Sequence, residues 1–194
     1  MTRLYLISPA TLDHPDIFAA TLRAALDGGD VAAFLLQLAN ADDKAITRAA
    51  DTLRPVCQQR DVAFLLDGHA ELALKLDCDG VQVAVEDYAA ARRAVGPERQ
   101  VGVTCSASRH SAMEAADAGA DYVAFNAGDI EMIEWWSGLF EIPCVAAGEV
   151  TLANAPSLIA SGADFLAVGN AVWDHADGPE AAVRAFNALF SANG

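Results

Sequence analysis

Short apolar runs alternate along the chain with longer segments in which alanine and leucine recur among charged residues. The runs are rich in valine, leucine, isoleucine and phenylalanine, with no strict polar alternation, which is the pattern of strands buried on both faces. They fall near 3–8, 31–38, 62–66, 80–84, 100–104, 121–126, 142–147 and 164–168. The intervening segments, 14–27, 42–59, 69–76, 86–95, 108–118, 129–138, 152–160 and 174–191, read as helices. Asp13, Asp42, Ser106 and Asn154 stand where a side chain caps free helical N–H groups. Pro156 falls in a first turn, where proline is tolerated.

One phrase returns before four of the apolar runs: Asp27-Gly28-Gly29-Asp30, Asp77-Cys78-Asp79-Gly80, Ala118-Gly119-Ala120-Asp121 and Ser161-Gly162-Ala163-Asp164. Glycine at a helix end accepts the left-handed conformation that stops the helix, and the next strand then begins. Regular alternation of strand and helix predicts a single compact (β/α)8 barrel domain spanning residues 1–194. The rival, a doubly wound open sheet, would place GxGxxG or a phosphate loop after the first strand. Ser8-Pro9-Ala10-Thr11 is neither.

Composition narrows the picture. Hydrophobic residues make up 54% of the 194 positions and charged residues 20%, enough apolar material for a core and against disorder. Such barrels usually need about 250 residues, with about 200 near the lower limit, so the loops must be short. Twelve Lys+Arg against 27 Asp+Glu give a net charge of −15. The chain has no basic cluster for nucleic acid or an acidic membrane surface, and neither is expected as a partner. No run approaches the ~18–20 apolar residues of a membrane span, and the N-terminus does not read as a signal peptide. Cys57, Cys78, Cys105 and Cys144 lack CxxC or zinc spacing and read as free thiols of a cytoplasmic protein.

Barrel active sites lie at the C-terminal strand ends. Those ends offer Ser8, Gln37, Asn40, Asp67, His69, Gln82, Glu86, Asp87, Thr104, Cys105, Ser106, Asn126, Gly148, Glu149, Gly169 and Asn170. The set is polar but poor in cations. The small-residue turns Ala146-Ala147-Gly148 and Ala167-Val168-Gly169-Asn170 suit a phosphate held by bare N–H groups, or equally tight turns and nothing more. Glu149 opposes a phosphate there.

The ordered phrases LYLIS, LLQLA, AFLLDGHAELAL, DGVQVAVED, VGVT, GADYVAF, IPCVAAGEV and GADFLAVGNAV resemble the thiamine phosphate synthase family and its relative, the thiazole tautomerase. The resemblance implies a Mg²⁺-dependent transferase that joins an aminopyrimidine diphosphate to a thiazole phosphate and releases pyrophosphate. It implies that Gln37, Thr104 and Ser106 are catalytic. Gln37, Asn126, Gly148, Gly169 and Asn170 would bind the phosphorylated substrates, and Asp67 and Asp87 would hold the metal.

Several motifs depart from the family pattern. Its Gln-Leu-Arg followed by Lys reads Gln37-Leu38-Ala39-Asn40-Ala41, and its Asn-Asp-Arg reads Asp67-Gly68-His69. Its His-Leu-Gly-Gln-x-Asp reads Gln82-Val83-Ala84-Val85-Glu86-Asp87, and its Gly-Gly reads Gly148-Glu149. The lysine of the loop after strand six has no counterpart. Three readings follow: a divergent thiamine phosphate synthase, a barrel of that descent that binds a small molecule or protein without catalysis, or another enzyme using His69 with Cys105 or Asp67. A homo-oligomer stays open.

Overall fold

The computed structural model describes residues 1–105 and 108–192. Eight parallel strands close into a barrel in chain order: β1 (Arg3–Ile7), β2 (Ala33–Leu36), β3 (Ala63–Asp67), β4 (Gly80–Ala84), β5 (Gln100–Thr104), β6 (Tyr122–Asn126), β7 (Cys144–Ala147) and β8 (Phe165–Val168). Closure is made by β8 on β1, with Leu4 opposite Leu166 and Leu6 opposite Val168. Around them lie α1 (Pro15–Asp27), α2 (Asp43–Gln58), α3 (Ala70–Lys75), α4 (Tyr88–Val95), α5 (Arg109–Asp117), α6 (Ile130–Ser137), α7 (Ala155–Ala160), α8 (Asn170–Trp173) and α9 (Pro179–Ala192), with a 3-10 turn at Val85–Asp87. The (β/α)8 fold expected from the alternation is therefore the fold observed.

The main difference lies at the end. The helix expected over 174–191 begins only at Pro179, as α9, and the short helix α8 (Asn170–Trp173) ahead of it was not expected. Gly178 (φ +86°) and Pro179 set that start, because a left-handed glycine breaks the helical path and proline suits a first helical position. The caps also differ. Asp42 accepts from the Ala45 N–H at 2.8 Å as expected. His14, not Asp13, occupies the cap position of α1, without a side-chain bond. Asn154 bonds backward to Thr151 and Glu149 rather than capping α7. Ser106 lies outside the described residues; Ser108 caps α5 through Ser111 N–H.

Side chains alternate along each strand, so two apolar layers form. Outward residues such as Leu4, Phe34, Phe64, Val101 and Val123 pack against the helices. Inward residues form a separate cluster of Tyr5, Ala33, Leu35, Leu65, Tyr122, Ala124, Val145 and Ala167. A β-carbon on Gly102 would sit 1.9 Å from the Tyr122 ring, so glycine is what lets that ring lie across β5.

The recurring phrase has a second role at the N-terminal end of the barrel. It precedes β2, β4, β6 and β8, and its aspartates reach the strand before. Asp79 accepts from Phe64 N–H at 2.7 Å, Asp121 from Val101 N–H at 2.7 Å and Asp164 from Cys144 N–H at 2.9 Å. Asp30 instead takes a two-pronged bond from Arg3, at 2.7 and 2.8 Å. Asp79, Asp121 and Asp164 thus each accept from a backbone N–H near a strand start. Among the described residues no helix is long and apolar enough to cross a membrane.

Candidate active site

The inward parity continues past the core layer to the C-terminal mouth. Two residues beyond Leu35 and Leu65 stand Gln37 and Asp67, and two beyond Ala124 and Ala167 stand Asn126 and Gly169. Thr104 joins this ring because it lies in register with Ala124. Gln37 Nε2 donates to Asp67 Oδ2 at 3.0 Å, linking β2 to β3. Ser8 is buried and structural: its hydroxyl donates to Gln37 C=O at 3.1 Å and accepts from Gln37 N–H at 3.0 Å, which fixes the backbone carrying Gln37.

Across the mouth, Asn126 Oδ1 accepts from Gly128 N–H at 2.7 Å, which turns the chain into α6. Gly148 has φ +107°, a conformation other residues rarely take, and a β-carbon there would lie 3.8 Å from Asn126 Nδ2. Glu149 is exposed, and its carbonyl accepts from Asn154 Nδ2 at 2.7 Å. Gly169 and Asn170 begin α8, and Trp173 Nε1 donates to Ile7 C=O at 2.7 Å, fixing this short helix against the end of β1. Small residues after β7 and β8, with a short extra helix, are the arrangement in which such barrels often hold phosphate.

The remaining candidates stand apart from this ring. Asp87 is exposed at the start of α4 and makes no capping bond. His69 is drawn outward, its Nδ1 3.7 Å from Asp43 Oδ1 on α2. Cys105 faces the outer layer, and burial pushes its thiol up to about 11. A thiol held in its protonated form is a weak nucleophile.

Beneath the ring lies a cluster that strand-end reading misses. The Tyr5 and Tyr122 hydroxyls are 3.1 Å apart, and they lie 3.3 and 3.2 Å from Gln82 Oε1. Gln82 Nε2 in turn donates to Thr104 Oγ1 at 3.2 Å. Burial raises both phenols above their ordinary range and holds them protonated. The signal in the sequence was one amide inside the apolar run VQVAV, with tyrosines at inward positions of two other strands.

Residues 4–172 match the model of the thiamine monophosphate synthase family. The chain belongs to that family. A thiamine-phosphate synthase of Rhodospirillum centenum is 52% identical, with 95% of this chain and 96% of the relative aligned. One from Erythrobacter litoralis is 46% identical, over 95% of this chain and 93% of the relative. Among solved structures, a thiamine phosphate pyrophosphorylase from Pyrococcus furiosus superposes with a TM-score of 0.86 at 27% identity, covering 98% and 96% of the two chains. The wider fold is shared further. Orotidine 5'-phosphate decarboxylase from Pyrococcus horikoshii superposes with a TM-score of 0.74 at 16% identity.

Within the thiamine monophosphate synthase family frame, the residues matched to strand-end motifs fall on the same end of this barrel. Ala39, standing where the family's arginine is expected, is exposed beside Gln37. Gly68 stands where the aspartate is expected, has φ +78°, and donates its N–H to Gln82 C=O at 2.7 Å.

Proposed function

We propose that this chain joins an aminopyrimidine diphosphate to a thiazole phosphate, as a thiamine phosphate synthase. The observation that supports this most is the convergence of Gln37, Asp67, Thr104 and Asn126 on one strand-end ring in a chain 52% identical to a curated relative of that name. In the reaction the carbon–oxygen bond to the diphosphate breaks and pyrophosphate leaves with the electron pair. The pyrimidine cation left behind is captured by the thiazole nitrogen, forming the new carbon–nitrogen bond.

Gln37, Thr104 and Ser106 orient the pyrimidine and its diphosphate, while Asn126, Gly148, Gly169 and Asn170 receive the phosphate of the thiazole. Among the described residues no three His, Cys, Asp or Glu side chains gather as a metal cage. Mg²⁺ at phosphate-transfer sites is commonly held by only one or two carboxylates and completed by substrate phosphate oxygens. Asp67 and Asp87 would supply the protein's share, and the bound ion would neutralise charge on the leaving diphosphate. The enzyme works in the cytoplasm on small phosphorylated substrates, with neither nucleic acid nor membrane as partner.

A second reading, a barrel that binds a small molecule or protein without this turnover, draws on Ala39 and Ala41 standing where the resemblance implies arginine and lysine, and on the missing lysine of the loop after β6. Calorimetry with thiamine phosphate, and with pyrophosphate plus Mg²⁺, separates the two when paired with a turnover assay. Micromolar binding weakened by Asp87→Ala and Gly148→Asp, with turnover, supports the synthase. Binding without turnover supports the second reading. No binding at millimolar ligand overturns the synthase assignment.

A further inference from the structure

The buried cluster under the mouth has a direction. Gln82 is 7% exposed, and its amide oxygen forms a triangle with the two phenol oxygens. An amide oxygen only accepts, so in this orientation both phenol protons find an acceptor. The reversed amide would present an NH₂ to the two phenols. One phenol proton could then go to the other phenol, and the second would be stranded in a buried site, which is costly. The oxygen therefore faces inward to the phenols, and the NH₂ faces the mouth, where it meets Thr104 Oγ1 at 3.2 Å.

Thr104 is the last residue of β5 and is exposed at the mouth. Its oxygen already receives a hydrogen bond from below, so its own proton is free to point outward. We propose that Gln82 is a positioning residue: anchored by Tyr5 and Tyr122, it fixes the Thr104 hydroxyl as a hydrogen-bond donor toward an acceptor atom of the aminopyrimidine diphosphate. This rests on the synthase reading above. The resemblance implies histidine at this place, where this chain carries Gln82 between two phenols and a threonine.

A double-mutant cycle in the intact protein tests it. Wild type, Gln82→Met, Thr104→Val and the double variant are assayed for steady-state turnover of aminopyrimidine diphosphate and thiazole phosphate with Mg²⁺, with thermal melts alongside. Methionine conserves volume and removes both hydrogen-bonding ends. Each single change is expected to lower kcat/KM by about 10- to 100-fold, mostly in kcat, as misplaced groups do. The double variant is expected to lose no more than Thr104→Val alone, because Gln82 acts only through Thr104. Losses that multiply, or a Gln82→Met enzyme with unchanged turnover, would overturn the proposal while leaving the synthase standing. A folded wild type with no turnover would remove the synthase reading and this proposal together. Should Gln82→Met fail to fold, Tyr5→Phe is put through the same cycle. It removes one anchor, and its loss of kcat is expected to vanish in the Thr104→Val background; a loss that persists there overturns the proposal.

Discussion

The two ends of the barrel use the same acidic excess in opposite ways. At the N-terminal end the carboxylates are engaged: Asp79, Asp121 and Asp164 hold strand-start N–H groups, and Arg3, Arg92 and Arg99 pair with Asp30, Asp121 and Asp77. At the C-terminal end Asp67 has a neutral amide for a partner, Asp87 caps nothing, and Thr104 and Asn126 are exposed. Net charge alone hides this division. Partnered carboxylates close the barrel, while under-partnered polar groups are left for whatever binds in the mouth.

The sharpest break in the comparison sets activity against stability. Asp67→Ala is expected to lower turnover by about 100-fold or more, as loss of a metal ligand or charge-positioning group does, while changing the unfolding free energy by less than about 1 kcal/mol. Steady-state kinetics and urea titration on the same preparation check both halves. An unfolding midpoint that drops while kcat stays level would place Asp67 with the structural carboxylates and erase the distinction.

Between the two ends sits Gly102. A methyl group there would meet the Tyr122 ring, so Gly102→Ala forces that ring aside. Overpacking of this kind costs about 1–3 kcal/mol. It should also lower kcat, since Tyr122 anchors Gln82 beneath Thr104. Melting and turnover would fall together, unlike in either end's variants. Unchanged melting would mean that the barrel interior is looser than its packing implies.

At the closed end, Asp121→Ala removes the acceptor of Val101 N–H and the partner of Arg92. A charged hydrogen bond contributes about 1.5–3 kcal/mol when buried, and this carboxylate is 42% exposed, so about 1–2 kcal/mol is expected. For a chain of this size that lowers the melting temperature by about 2–4 °C per kcal/mol. Turnover per folded molecule should not change.

Much of this architecture was legible in the sequence, because strand burial and helix endings are local. The eight apolar runs and the glycines before β6 and β8 needed only composition and backbone chemistry. The recurring phrase was visible through its glycines, but the acceptor role of its aspartates was not, since it depends on which strand lies alongside. The short α8 was missed, and α9 was begun too early although Gly178-Pro179 marked its start, because alanine on both sides kept the helical pattern alive. The mouth was partly legible: Gln37, Asp67, Thr104 and Asn126 follow from strand ends. The Tyr5–Tyr122–Gln82 cluster was not, because its members come from three strands and meet only when the barrel closes.

The smallest effect tests how much the surface pairs of the closed end contribute. Arg3 holds the Asp30 carboxyl below its ordinary range, first through the direct hydrogen bond and then through charge, against a partial desolvation that raises it. A depressed carboxylate stabilises the fold above its unfolded pKa of about 4, and that stability is lost as pH falls through the folded value. Both side chains are about half exposed, at 46% and 54%, so about 0.2–1 kcal/mol is expected near pH 6, and less in high salt. Urea midpoints of wild type and Asp30→Asn should therefore differ slightly at pH 6 and converge below about pH 3. A gap that persists unchanged at low pH would show that the Asp30 side chain contributes otherwise than through its charge, since Asp30→Asn keeps the backbone bond to Asn187.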